Sequence, residues 1–140
     1  YKESFNKEWP VEVRPINPVD LMNPEVKEPQ NYIWFKARSI LPGNVSLHQC
    51  VLAYMSDMTL LDTCTNPHGV NFMNPNLHSA SLDHAMWFHR PFKADEWLLY
   101  HQDSPSASGA RGFNRGSIFD LNGNLIASVA QEGLIRFTEN

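Results

Sequence analysis

Only two of the 140 residues are cysteine, and only eleven are Lys or Arg against fifteen Asp or Glu. Cys50 falls in a helical pattern and Cys64 roughly four turns further on, too far apart along one helix to bridge. No disulfide framework is therefore expected, and two free thiols point to a reducing compartment. The net charge of −4 excludes a general nucleic-acid binder, while leaving room for a few cations set against a phosphorylated ligand. No apolar run approaches the roughly 20 residues that cross a bilayer. Signal-peptide and lipidation motifs are not visible either, nor are internal repeats or low-complexity tracts. The Asn44-Val45-Ser46 sequon is a short motif that carries little weight without a secretory signal. The chain opens on Tyr1 rather than Met, so a native amino terminus is expected to be missing.

What is present is a globular composition, 42% hydrophobic and 19% charged, long enough for one domain over residues 1–140 with a real core. Residues 1–30 hold five of the ten prolines and read as an extended leading linker, interrupted by a short strand at 11–16. Pro15 suggests a sheet edge for that strand. Residues 31–41 are rich in aromatic and β-branched side chains and read as a longer strand, broken by Pro42-Gly43. From Ser46, a candidate N-cap, Leu47, Val51, Tyr54, Met55, Met58 and Leu61 recur at helical spacing and predict one long helix ending before Pro67. After a loop at 66–78, four strands are expected at 79–89, 96–106, 112–119 and 125–137. Asn122-Gly123 between the last two predicts a type I′ hairpin, with positive φ at both residues. One helix with a wide apolar face and an antiparallel sheet must pack on each other. The expected class is α+β, a hotdog fold in which a curved sheet wraps the helix.

Polar side chains set among large apolar ones mark the candidate site, since such groups cost several kcal/mol unless paired. Asp57 in the helix, Ser81 in the strand after the loop and Gln131 in the last strand can meet where a helix crosses a curled sheet. A carboxylate, a hydroxyl and an amide hold a water by three hydrogen bonds, and the carboxylate can take its proton during attack on a carbonyl. Each residue also has a structural reading: a solvated helix Asp, a small strand Ser bonded to a carbonyl, a Gln that only spaces the ladder beside Gly133. Strict alternation puts Asp83 on the Ser81 face as a supporting group and His84 on the opposite face as a satisfied core histidine. The six His residues show no ligand-grade spacing, so no metal site is expected. Arg90 and Arg111 are candidate cations for a substrate's phosphates. Trp34, Trp87 and Trp97 are read as core.

At Tyr54-Met-Ser-Asp57, Ser81-Leu-Asp-His-Ala-Met-Trp-Phe-His89, Glu96-Trp-Leu-Leu-Tyr100, Ser106-Ala-Ser-Gly-Ala-Arg-Gly112 and Ala130-Gln-Glu-Gly-Leu-Ile-Arg136, the chain resembles the type II acyl-CoA thioesterases. These are bacterial and peroxisomal enzymes built from two fused hotdog repeats, and the likeness is to the second repeat. It implies hydrolysis of acyl-CoA to fatty acid and coenzyme A, with Asp57, Ser81 and Gln131 holding the water and a backbone N–H near the helix start donating to the thioester oxygen. It implies no cofactor, since coenzyme A is part of the substrate, and no nucleic-acid partner. Half of a double-hotdog protein would need a second hotdog repeat or a homodimer partner. An intracellular location, cytoplasmic or peroxisomal, follows from the likeness, although Phe137-Thr-Glu-Asn140 is not a peroxisomal Ser-Lys-Leu address. Two other readings stand beside it: a hotdog hydratase or dehydratase, against which Gln131 speaks, and a non-catalytic acyl-binding or dimerisation half-domain.

Overall fold

A computed structural model describes residues 9–16 and 22–138. The rest of the expected leading linker, at 1–8 and 17–21, lies outside the described residues. Among the described residues seven antiparallel strands form one sheet: β1 (Val11–Pro15), β2 (Gln30–Ala37), β3 (Leu77–Ser81), β4 (Ala85–Phe88), β5 (Leu98–Ser108), β6 (Arg111–Phe119) and β7 (Leu125–Phe137). Their order is β1-β2-β5-β6-β7-β3, with β4 following β3 along the same side of β7. β1 lies at the edge, where Pro15 costs no ladder bond on its free side.

Among the described residues one α-helix, α1 (Val45–Asp57), packs on the sheet. Asn44 rather than Ser46 caps it, its Oδ1 accepting from Leu47 N at 3.3 Å. Its buried face is His48, Leu52, Met55 and Ser56, while Leu47 and Tyr54 are exposed. The expected stripe is thus rotated by about one residue, because His48 fits the core with both ring nitrogens satisfied. Nε2 lies 2.9 Å from Pro42 O, and Nδ1 accepts from Ala94 N at 2.9 Å. Leu52 and Met55 meet Val11, Ile33, Phe35, Leu98, Tyr100 and Ile118 in an apolar core. Among the described residues, no helix is long and apolar enough to cross a membrane.

The long helix of the sequence reading ends early. After Asp57 the chain tightens into a 3-10 helix, Leu60–His68, which runs through Pro67 and stops at Gly69 in left-handed geometry. This segment lies on a polar strip of the sheet. Gln102 Nε2 donates to Thr59 Oγ1 at 2.8 Å and its Oε1 accepts from Thr63 Oγ1 at 3.1 Å. The close approach is possible because Gly112 and Gly133 sit opposite each other in β6 and β7. A Cβ on Gly112 would strike Cys64, and one on Gly133 would strike Leu61.

The two-residue turn with positive φ at both positions lies elsewhere than expected. Gly109 and Ala110 have φ of 61° and 58° between the paired residues Ser108 and Arg111, which is the two-residue turn with both positive angles. At the expected Asn122-Gly123 turn only Gly123 has positive φ, 81°. There Asp120 closes a wider loop, its Oδ1 accepting from the Asn122 and Asn124 amides at 2.9 Å.

Candidate active site

The run expected as one strand over 79–89 is two strands, β3 and β4, separated by a bulge. Ser81 pairs with Gly133 and Ala85 with Ala130, so three residues of this run, 82–84, face two of β7. Glu132 O accepts from both Leu82 N (3.0 Å) and Asp83 N (3.4 Å). The Asp83 carboxylate accepts from Glu132 N at 2.7 Å, which fixes the bulge. An extra residue inverts alternation. Ser81 and Met86 then share the core-facing side of the sheet with Val129 and the fully buried Gln131, opposite the outward Ala85 and Trp87.

Against that side the last turn of α1 presents Ser56 and Asp57. Gln131 Nε2 donates to Ser81 Oγ at 2.6 Å, and Ser81 Oγ donates to Asp57 Oδ1 over a longer 3.5 Å. His84 completes the cluster. Its Nδ1 is 2.5 Å from Gln131 Oε1 and 3.8 Å from Asp57 Oδ1, and its Nε2 is 2.9 Å from Ser56 Oγ. The buried Tyr100 hydroxyl donates to Ser56 O at 2.9 Å and pins the helix end to β5. Burial and the neighbouring Asp57 carboxylate push that phenol well above its usual range. The Asp57 side chain is 51% exposed: half of it belongs to the network, and half is open to an arriving molecule.

Several expectations change. His84, read as a core histidine on the far face, joins the cluster. Asp83, read as a support for Ser81, serves the backbone of the bulge instead. Both follow from the inverted alternation, for which the sequence carries no plain signal. Arg111 pairs with Glu132 Oε1 at 3.4 Å, beside Gln131 in sequence. Arg90 donates to Leu125 O at 2.5 Å, about 20 Å along β7 from Gln131. The start of α1 lies about 18 Å from Asp57 along a 13-residue helix, so no N–H from that start reaches the Asp57 carboxylate within this chain. None of the three tryptophans read as core is buried: Trp34 and Trp97 are half-buried and Trp87 is exposed. Arg14 and Lys36 lie over the Trp97 ring at 4.8 and 4.9 Å. Among the described residues no cluster of His, Cys, Asp or Glu could hold a metal ion. Burial pushes the Cys64 thiol up to about 11, away from the thiolate that a cysteine nucleophile requires.

The model of the acyl-CoA thioesterase family matches residues 1–134. The chain belongs to that family. It is 43% identical over 97% of its length to mouse acyl-coenzyme A thioesterase 8, of which it covers 43%. It is 40% identical over 98% of its length to acyl-CoA thioesterase 2 of Haemophilus influenzae, of which it covers 48%. The chain thus spans somewhat under half the length of these two thioesterases. Among solved structures, acyl-CoA thioesterase II TesB2 of Mycobacterium marinum superposes with a TM-score of 0.78 at 45% identity, over 93% of this chain and 50% of that one. The fold is the hotdog fold of these thioesterases, a curled antiparallel sheet around one helix.

Proposed function

We propose that this chain hydrolyses acyl-CoA thioesters to a fatty acid and coenzyme A, using a water held between Asp57, Ser81 and Gln131. The observation that carries the reading is the unbroken hydrogen-bond chain from Gln131 through Ser81 to Asp57, in a member of a thioesterase family. Three groups of different hydrogen-bonding type converge where the helix ends; Asp57 and Ser81 reach solvent while Gln131 is buried. In the proposed reaction Asp57 accepts a proton as the water oxygen attacks the thioester carbon. Ser81 and the Gln131 amide fix the direction of attack, and the Gln131 N–H not spent on Ser81 supports the developing oxyanion. Collapse of the tetrahedral adduct breaks the C–S bond, and the proton on Asp57 passes to the departing sulfur. No covalent intermediate or cofactor enters, since coenzyme A arrives as part of the substrate.

Val13, Ile33, Phe35, Met55, Met58, Thr59 and Tyr100 surround only a water-sized void in the core, and Met55 and Met58 flank Asp57 in the same helical turn. Arg111, at the Gln131 end of β7, is the better placed of the two candidate arginines for a coenzyme A phosphate. A second hotdog unit, either another repeat or another copy, is the proposed partner. Release of free thiol from acyl-CoA by the purified chain tests the activity. No release above the spontaneous rate, from short or long acyl chains and with a second hotdog unit supplied, would overturn it.

A further inference from the structure

We propose that His84 is a positioning residue for this hydrolysis: its Nδ1–H locks the Gln131 amide so that Nε2, and not Oε1, faces Ser81. The inference rests on the activity proposed above and goes beyond its three residues. It follows from proton bookkeeping along the chain, starting at the one group that can only accept. An ionised carboxylate has no proton to give, so the Ser81 hydroxyl spends its single proton on Asp57 Oδ1. Ser81 Oγ must then accept from its other neighbour, which makes that neighbour the Gln131 NH2, at 2.6 Å. The Gln131 oxygen is thereby turned toward His84 and needs a donor, which only a protonated Nδ1 supplies, at 2.5 Å.

The far side of the ring keeps this arrangement in either charge state. Ser56 Oγ, 2.9 Å from His84 Nε2, also lies 3.0 Å from Ala53 O and 3.4 Å from the Met86 sulfur. A neutral imidazole accepts the Ser56 proton at Nε2. A doubly protonated one donates to Ser56, whose hydroxyl then turns to Ala53 O. In both states Nδ1 carries its proton, so the polarity of the chain is the same. Remove the imidazole and the buried Gln131 Oε1 loses its donor, leaving only the long 3.5 Å Ser81–Asp57 bond to hold Nε2 toward Ser81. The flipped amide sets an oxygen against Ser81, the Ser81 proton turns to it, and Asp57 loses its donor. The amide then presents an acceptor oxygen at the water site in place of its N–H donor.

The test separates geometry from bulk. The Nδ2 of Asn occupies the place of imidazole Nδ1, so His84→Asn is expected to keep most of the wild-type kcat. His84→Ala is expected to lose roughly 10- to 100-fold in kcat, as displaced water-positioning groups do, with KM little changed. Full activity in His84→Ala, or equal losses in Ala and Asn, would overturn the proposal. A second readout does not depend on turnover: 15N spectra of the wild-type chain should show the His84 Nδ1 protonated. A bare Nδ1 would overturn the positioning role whatever the kinetics. An absence of thioesterase activity with a protonated Nδ1 would count against the activity and leave the tautomer assignment standing.

Discussion

Asp57 and Asp62 stand five residues apart on opposite sides of the junction between α1 and the 3-10 helix, and their surroundings set them different tasks. Asp57 keeps half its surface in solvent and meets Ser81. Asp62 is held in the fold, and burial pushes its carboxyl from its usual value near 3.8 up to about 6. A carboxyl harder to ionise folded than unfolded gives the folded chain the extra proton, so stability falls as pH rises from about 4 through about 6. Asp62→Asn should therefore match the wild-type melting temperature near pH 4 and exceed it above pH 7. Thermal melts across that range check it, and a variant less stable at high pH would contradict the burial argument. The meeting of Asp57, Ser81 and Gln131 is legible through the family resemblance rather than through spacing. His84 was not legible, because one bulged residue inverts which side chains share a face, and the bonds that fix the bulge are made by the Glu132 backbone.

At the scale of elements, the informative contact is the 3-10 helix on the paired glycines of β6 and β7. Helical periodicity carried the sequence reading past Asp57, since Met58 and Leu61 continue an apolar spacing. It could not show the tighter winding, which comes from packing: Thr59 and Thr63 bond to Gln102, and Cys64 drops onto Gly112. A Cβ on Gly112 would meet Cys64 Cβ at 2.8 Å, a contact the backbone must move to relieve. Gly112→Ala should cost about 1–3 kcal/mol, the usual range for overpacking. Gly133→Ala should cost less, because what it strikes is the free end of Leu61. Urea titrations read both. An unperturbed midpoint for Gly112→Ala would mean that the 3-10 helix is not seated as described. The expected strands were otherwise visible, because β-branched and aromatic runs report sheet burial directly, whereas the two hairpin turns hinge on which residue carries positive φ.

At the scale of the molecule, the sheet ends in two edges among the described residues, β1 on one side and β3 with β4 on the other. Leu82, Trp87 and Phe88 are exposed at the second, by 55%, 54% and 38%. Free edges and exposed aromatic groups favour association, and the chain covers 43% and 48% of two curated thioesterase relatives. A second hotdog unit beside this one is therefore expected. Light scattering should give twice the 16.0 kDa mass or, if the chain stays monomeric, an activity that rises when a second unit is supplied. A stable monomer with full activity would contradict this.

The central claim is that Asp57 draws the proton from a water that attacks the thioester, and one substitution tests it most directly. Asp57→Asn preserves size and hydrogen bonding but removes the base. With the circular dichroism spectrum unchanged, thiol release from acyl-CoA should fall by roughly a hundred- to ten-thousand-fold. A folded Asp57→Asn chain that releases coenzyme A at the wild-type rate would contradict the account.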